Sequence, residues 1–300
     1  MPELHATDLR TYLECRRKYK YAYMDRLTSD VPTADYFSFG TLWHKVMAAH
    51  YSGELVDNVL NNHEDEEVAR NQRTLYGLYC KEYADEKLQI ASIEQSIKFP
   101  FKGLDLTFTM DLLTLKSNHK YKIIDHKSYK SFPNQNLLTR DFQCTFYFWG
   151  ATKVGIPVDE FVFNVVRKGT PELPAVLKNG SFSRSQATLA NTDYHVYKKL
   201  VDMAGCADEY QAELEFLKNR GSNFFKRYSQ RRTEKQLEIF ESHLLTMLDE
   251  IHSDKTVFYP HSQLGCSHCM YEFLCSAEDQ GTDTTNIRQS LFRLKEDTER

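Results

Sequence analysis

Between residues 7 and 27 apolar side chains recur at near-helical spacing: Leu9, Leu13, Tyr19, Tyr23 and Leu27. That stripe predicts an amphipathic helix, and Thr7 or Asp8 can cap its start. Pro32 marks a break. Gly40 opens a second helical segment over 41–51, with Trp43, Val46, Met47 and His50 on one face. After the acidic stretch 61–67 a longer helical pattern runs to about residue 87. The period then changes from 3.6 to 2. Leu104, Leu106, Phe108, Met110 and Leu112 alternate with Asp105, Thr107, Thr109 and Asp111, as in a strand with one apolar and one polar face. Ser117-Asn118-His119 predicts a turn, and 121–127 a returning strand. Residues 141–152 read as helix and 160–167 as a strand rich in Phe and Val. Pro171 and Pro174 place a loop. The remainder is mostly helical, including 234–251, and ends in a cysteine cluster and a polar tail after Asp279. This order predicts an α/β fold, a mixed β-sheet core flanked by helices. Its expected divisions are an N-terminal helical region (1–90), a central core (91–170), a C-terminal helical region (171–279) and the tail (280–300).

The 300-residue chain is 41% apolar and 27% charged, as soluble globular proteins are. No stretch approaches the roughly 18 consecutive apolar residues of a membrane span. The opening residues lack the basic-then-apolar pattern of a secretion signal, so a cytoplasmic location is expected. With 38 basic and 42 acidic residues the net charge is −4, which argues against a protein that simply coats nucleic acid. Local basic grooves remain open to it. Arg16, Arg17, Lys18 and Lys20 form one cluster, and Lys226, Arg227, Arg231, Arg232 and Lys235 another. If the second stretch is helical, Arg227, Arg231 and Lys235 line up on one face, a row suited to tracking phosphates.

The turn around Asn118 permits a geometric expectation. If the three turn residues centre there, antiparallel partners sum to 236, so Asp111 faces Asp125 and Thr109 faces Lys127. Directly opposed like charges destabilise a hairpin unless a cation lies between them, and carboxylate oxygens suit magnesium or manganese. Lys127 shares the strand face of Asp125, where its ammonium can stabilise charge developing at a phosphate. A one-residue slip would separate the two carboxylates. His44 can add an imidazole to such a metal shell, and Glu94, which begins an alternating segment before the hairpin, is a further acidic candidate.

Seven cysteines, an odd number, argue against a disulfide framework. Cys266, Cys269 and Cys275 fall within ten positions, a strong metal signal. A fourth ligand can come from Cys15, Cys80, Cys144, Cys206 or His268. Zinc accepts a mixed Cys/His set, whereas an iron–sulfur cluster takes four thiolates.

Together these segments resemble the PD-(D/E)XK nuclease superfamily, specifically its RecB-like branch with an iron–sulfur cluster. That branch includes CRISPR-associated RecB-type exonucleases, the AddB nuclease domain and related phage proteins. The resemblance runs from the first helix to the cysteine cluster. It implies a restriction-endonuclease-like sheet core at 91–170, with the terminal segments joined by a metal cluster. It makes Cys15, in LRTYLECRRKYKYAY, the fourth thiolate beside Cys266, Cys269 and Cys275 of a 4Fe-4S cluster. Gly40 and His44 are similar to the family's Gly-x-x-x-His motif, whose histidine is a metal ligand. Asp111 matches the motif aspartate, and Asp125-His126-Lys127 the (D/E)-x-K element. The backbone carbonyl of His126 would also reach the metal. Gln143 and Tyr147 match a Q-x-x-x-Y motif that lies near DNA, and a spacing of four puts both on one helix face. One departure is visible: Phe108 stands where members often have glycine, three residues before the aspartate.

The implied activity is a Mg2+- or Mn2+-dependent deoxyribonuclease, an exonuclease acting at DNA ends or on single strands in recombination, repair or end processing. No G-x-x-x-x-G-K-[ST] loop is present, so any motor would come from a helicase or recombination partner. Two other readings are a catalytically weak, nuclease-like docking protein and a zinc-stapled nucleic-acid-binding protein.

Overall fold

The structure is a computed structural model that describes residues 3–29, 35–253, 255–260 and 265–295, with backbone alone for 35–38. Pro32, the expected break, lies outside the described residues. In chain order the elements are β1 (Glu3–His5), α1 (Ala6–Glu14), α2 (Arg16–Tyr19), a π-helical turn (Lys20–Met24), β2 (Leu27–Thr28), α3 (Asp35–Ser52), α4 (Val56–Asn61) and α5 (Glu66–Glu82). Then come β3 (Gln89–Phe101), β4 (Leu104–Leu115), β5 (Tyr121–Tyr129), α6 (Gln135–Leu138), α7 (Phe142–Lys153) and β6 (Val158–Arg167). The C-terminal part holds α8 (Gln186–Asn191), α9 (Tyr194–Met203), α10 (Gln211–Arg220), β7 (Phe225–Gln230), α11 (Glu234–Ile251), α12 (Glu272–Asp279), α13 (Thr285–Leu291) and β8 (Arg293–Leu294).

The expected long first helix is broken. Cys15 takes an extended conformation (φ −162°, ψ 113°) between α1 and α2, which turns the chain and leaves Leu13 half-exposed, contrary to its place in the apolar stripe. Gly40 does not open α3 but lies within it. There, an added Cβ would come 3.3 Å from Ser128 Oγ, so glycine lets the helix ride close to β5. The helix expected to reach about residue 87 ends at Glu82. The described part of the tail after Asp279 carries secondary structure: α13 follows it, and β8 pairs antiparallel with β2.

Among the described residues the main sheet has six strands in the order β1-β4-β5-β6-β7, with β3 also on β4. It is mixed. β4 pairs antiparallel with β3 along nearly its whole length, so its opposite edge is shared by β1, parallel at 105–107, and β5, antiparallel at 112–115. β5 and β6 run parallel, joined through α7, and β7 returns antiparallel on β6. The sheet therefore takes β1 and β7 from outside 91–170. Residues 226–230, for which a helix would have aligned Arg227, Arg231 and Lys235, instead form a strand that pairs antiparallel with β6.

α7 and α11 cover one sheet face, enclosing Leu106, Phe108, Met110, Ile123, Phe161 and Phe163. α3, α4 and α5 form a second core with Val166, Phe224 and Phe225. Phe108, where the resemblance anticipates glycine, is buried and packs on α7. The compensation lies on the helix. A Cβ at Gly150 would sit 2.7 Å from Phe108 Cε1, so the missing side chain on α7 makes room for the ring on β4. Gly150→Ala is expected to cost ~1–3 kcal/mol through overpacking. In chemical denaturation, combining it with Phe108→Leu should cost less than the sum of the two single changes, and strict additivity would contradict the contact.

Candidate active site

The hairpin ladder runs Leu115↔Tyr121, Thr114↔Lys122, Leu113↔Ile123 and Leu112↔Ile124, each pair summing to 236 as the turn predicts. It stops there. One step further, at Asp111 and Asp125, the strands part: β5 continues along β6 as far as Tyr129↔Arg167, and β1 takes up β4's edge only at Thr107. Thr109 does not meet Lys127. It turns to β3, where its hydroxyl lies 2.6 Å from that of Ser96. The His126 N–H, relieved of the ladder, donates to Asp111 Oδ2 at 2.7 Å. Backbone thus orients the first carboxylate, and strand separation keeps the second beside it.

β4 also breaks its alternation here. Met110 and Leu113 both pack in the α7-side core, whereas Leu112 joins Ile124 and Val162 in a separate cluster. Opposite Asp111 on β3, Glu94 has φ +46°, a left-handed conformation uncommon for a residue with a Cβ and characteristic of functional sites. The kink brings ligand atoms of His44, Glu94 and Asp111 within 4.8 Å of one another. His44 reaches in from α3, its Nδ1 3.2 Å from Asp111 Oδ2. Sequence reasoning flagged Glu94 only as an acidic residue near the hairpin. No periodicity signals the φ reversal that aims it.

Asp125 is 1% exposed. Lys127 Nζ lies 3.0 Å from its Oδ1 and 2.8 Å from its Oδ2, and also donates to Gln143 Oε1 at 3.0 Å. Gln143 Nε2 in turn donates to the Tyr147 hydroxyl at 2.8 Å. Both sit on α7, whose start is capped by Asp141 accepting from the Cys144 N–H. The Gln143–Tyr147 pair therefore faces Lys127. A cleft of about 620 Å3 adjoins the site, lined by Gly40, His44, Lys45, Glu94, Ser128 and Lys168 among others.

A family model described as the PD-(D/E)XK nuclease superfamily matches residues 3–276. The chain belongs to this superfamily. The nuclease is also similar to the solved structure of SSO0001, over 92% of this chain and 87% of that one, at 10% identity and a TM-score of 0.37. No curated protein matches it. Nucleases of this superfamily use Mg2+ or Mn2+, and the donor set fits such an ion: the Glu94 and Asp111 carboxylates and the His44 imidazole are hard oxygen and nitrogen ligands, and His44 and Glu94 line a partly open cleft. Among the described residues no helix is long and apolar enough to cross a membrane.

Electrostatics agree with that fit. Burial works against the Asp111 carboxylate, but the His44 hydrogen bond and the charges of His44, His126 and Lys127 outweigh it and bring its pKa down to about 2. Burial pushes Asp125 up to about 6, against the Lys127 charge and helped by Asp111. Glu94 is raised by burial and then by Asp111. Asp125 and Glu94, unlike Asp111, are thus held above the ordinary carboxylate range, as burial beside another carboxylate dictates. Lys127 loses hydration on burial, yet the two aspartates raise its pKa, Asp125 more than Asp111.

Of the other anticipated contacts, Arg227, Arg231 and Lys235 are not a helical row. Arg227 lies on β7, Arg231 is exposed in the following loop, and Lys235 is on α11. The Arg227 guanidinium turns inward to Glu86, Tyr79 and Asn164. The Arg16–Lys20 cluster is also committed to acids: Arg16 to Glu250, Arg17 to Asp279, Lys18 to Glu14 and Lys20 to Asp25.

All seven cysteines are free. Cys15, Cys266, Cys269 and Cys275 line one cavity of about 330 Å3, together with Arg17, Lys18 and Tyr271. Burial raises the Cys269 and Cys275 thiols, opposed at Cys275 by a hydrogen bond from Arg17. Cys144 is buried in the main core.

Burial brings the His126 imidazole down to about 3, so the unfolded chain takes up a proton at this residue near pH 6.5 that the folded protein refuses. The stability from its neutral ring is complete above that pH and is lost as pH falls. In urea denaturation with chelator present, the stability difference between the protein and His126→Gln should shrink steadily from pH 7.5 to pH 5. A constant difference would show that the ring takes up its proton equally in both states.

Proposed function

We propose that the protein is a Mg2+- or Mn2+-dependent deoxyribonuclease that hydrolyses DNA at ends or in single strands. The observation that carries this reading is the convergence of His44, Asp111, Asp125 and Lys127 where β4 and β5 part. A divalent ion bound there would act as a Lewis acid on the scissile phosphate and lower the pKa of an attacking water. His44 Nδ1, the Asp111 and Asp125 carboxylates and the His126 carbonyl would hold it, and Glu94 is placed to share it. Lys127, held as a cation against Asp125, orients the water and offsets charge growing on the phosphate oxygens. Gln143 keeps the ammonium aimed, and Tyr147 keeps Gln143 aimed, so this pair sits where a DNA strand would pass. Arg231, exposed at the end of β7, remains a candidate phosphate contact.

We assign Cys15, Cys266, Cys269 and Cys275 to a 4Fe-4S cluster. Four thiolates suit it, and the cavity they line is larger than a lone zinc ion requires. Joining Cys15 to Cys266 closes a loop of about 250 residues, the kind of closure that most restricts an unfolded chain. The cluster is structural in this reading, and the end-processing role places the enzyme beside a helicase or recombination partner in the cytoplasm.

Digestion of end-labelled single- and double-stranded DNA with Mg2+ or Mn2+ tests the catalytic assignment. Lys127→Ala and Asp111→Asn should each lower turnover by at least about 100-fold, while far-ultraviolet circular dichroism stays unchanged. Undiminished digestion by Lys127→Ala would remove the lysine from the mechanism. No digestion by the folded wild type would leave the docking protein as the better reading. Purified without oxygen, the protein should be brown and contain about four irons per chain. Cys275→Ala should be colourless and melt at lower temperature, and a colourless wild type carrying zinc would reverse the cluster assignment.

A further inference from the structure

We infer that Arg227 is a positioning residue of the active site, because it sets the orientation of the Asn164 amide and through it the tautomer of His126. The three residues stand in one row across three strands. His126 on β5 is directly beside Asn164 on β6, and Asn164 is directly beside Arg227 on β7. Arg227 Nε donates to Asn164 Oδ1 at 3.1 Å. Its Nη2 donates to the Tyr79 hydroxyl at 3.0 Å and to Glu86 Oε2 at 2.9 Å, and its guanidinium lies 3.9 Å from the centre of the Tyr83 ring.

A guanidinium has five N–H donors and no acceptor. The amide oxygen of Asn164 must therefore face Arg227, which leaves its NH2 to donate to His126 Nδ1 and the Tyr79 hydroxyl, each at 2.9 Å. His126 Nδ1 is then an acceptor, and the ring proton is on Nε2. The Tyr79 hydroxyl receives two donors, so its own proton goes to Tyr51, 2.7 Å away. The Tyr51 ring closes the arrangement by stacking on His126, at 5.8 Å and 18°. Asn164 and His126 are 2% and 1% exposed, so water cannot repair a reversed amide, and each wrong orientation leaves two donors facing one another.

The consequence falls on the neighbouring main chain. His126 supplies the N–H that orients Asp111 and, on the reading proposed above, a carbonyl to the metal. Clamping its ring from the far side of the sheet fixes the peptide planes on either side, which is how outer partners orient ligands elsewhere.

Two-bond 1H–15N correlation of the metal-free protein, labelled at histidine, reads the tautomer without any nuclease activity. The wild type should show Nε2–H at His126, and an Nδ1–H tautomer would overturn the inference whether or not the protein cuts DNA. Asn164→Asp accepts on both sides and should move the proton to Nδ1. Glu86→Gln leaves the guanidinium donating and should keep it on Nε2; a change there would mean that general loosening, not donor direction, sets the tautomer. Arg227→Lys should mix the tautomers and weaken Mn2+ binding, measured by electron paramagnetic resonance, by about 10-fold or more. Unaltered tautomer and unaltered Mn2+ affinity in that variant would refute the role.

Discussion

The parting of β4 from β5 after Leu112↔Ile124 is the constraint on which the rest of the site depends. A ladder continued by one pair would have buried Asp111 against Asp125 as two facing like charges, which a sheet does not tolerate. Separation avoids that contact: β5 keeps the pairing with β6 that it has along its whole length, and β4's edge passes to β1 at Thr107. The carboxylates are left beyond the ladder, Asp111 beside His44 and Asp125 against Lys127. The separation frees the His126 N–H for Asp111, and across β4's other edge the left-handed Glu94 brings a third acidic group to the same place.

Around it the structure supplies rigidity from both faces. On one, α7 is seated by the Phe108–Gly150 contact and carries Gln143 to Lys127. On the other, α3 is drawn onto β5 at Gly40 and carries His44 to Asp111. Both helices use a glycine where they meet the sheet, for the same reason: a side chain there would displace the helix and the ligand it presents. Further out, Arg16 and Arg17 bind the N-terminal helices to Glu250 and Asp279, next to the cavity lined by Cys15 and the three late cysteines. Those arginines had the look of a phosphate-binding patch, but they are used to hold the two ends of the chain together.

How much could be read in advance follows from the range of the interactions. The strand at 104–112 and its partner at 121–127 announce themselves by alternation, and the three-residue turn sets their register, because both signals are local. The helix over 234–251 is likewise local, bounded by a Thr233–Gln236 capping box. β1 and β7 were not legible. Three residues of β1 have too short a pattern, and β7's residues FKRYSQ carry charges whose partners, such as Glu86 for Arg227, lie more than a hundred positions away. A helix broken at Cys15 also reads as continuous, since the residues on either side keep helical spacing.

By itself the sequence determined the class of the fold, the hairpin register up to Leu112 and Ile124, and the residue types that suit a divalent cation, all matters of spacing along one or two adjacent segments. Tertiary structure decided the rest. It alone turned Glu94 toward the carboxylates, directed Arg227 inward, and drew Cys15 to cysteines at the far end of the chain. Each of these depends on which distant surfaces pack together, and burial, charge pairing and backbone strain at such contacts leave no periodic trace in the chain that makes them.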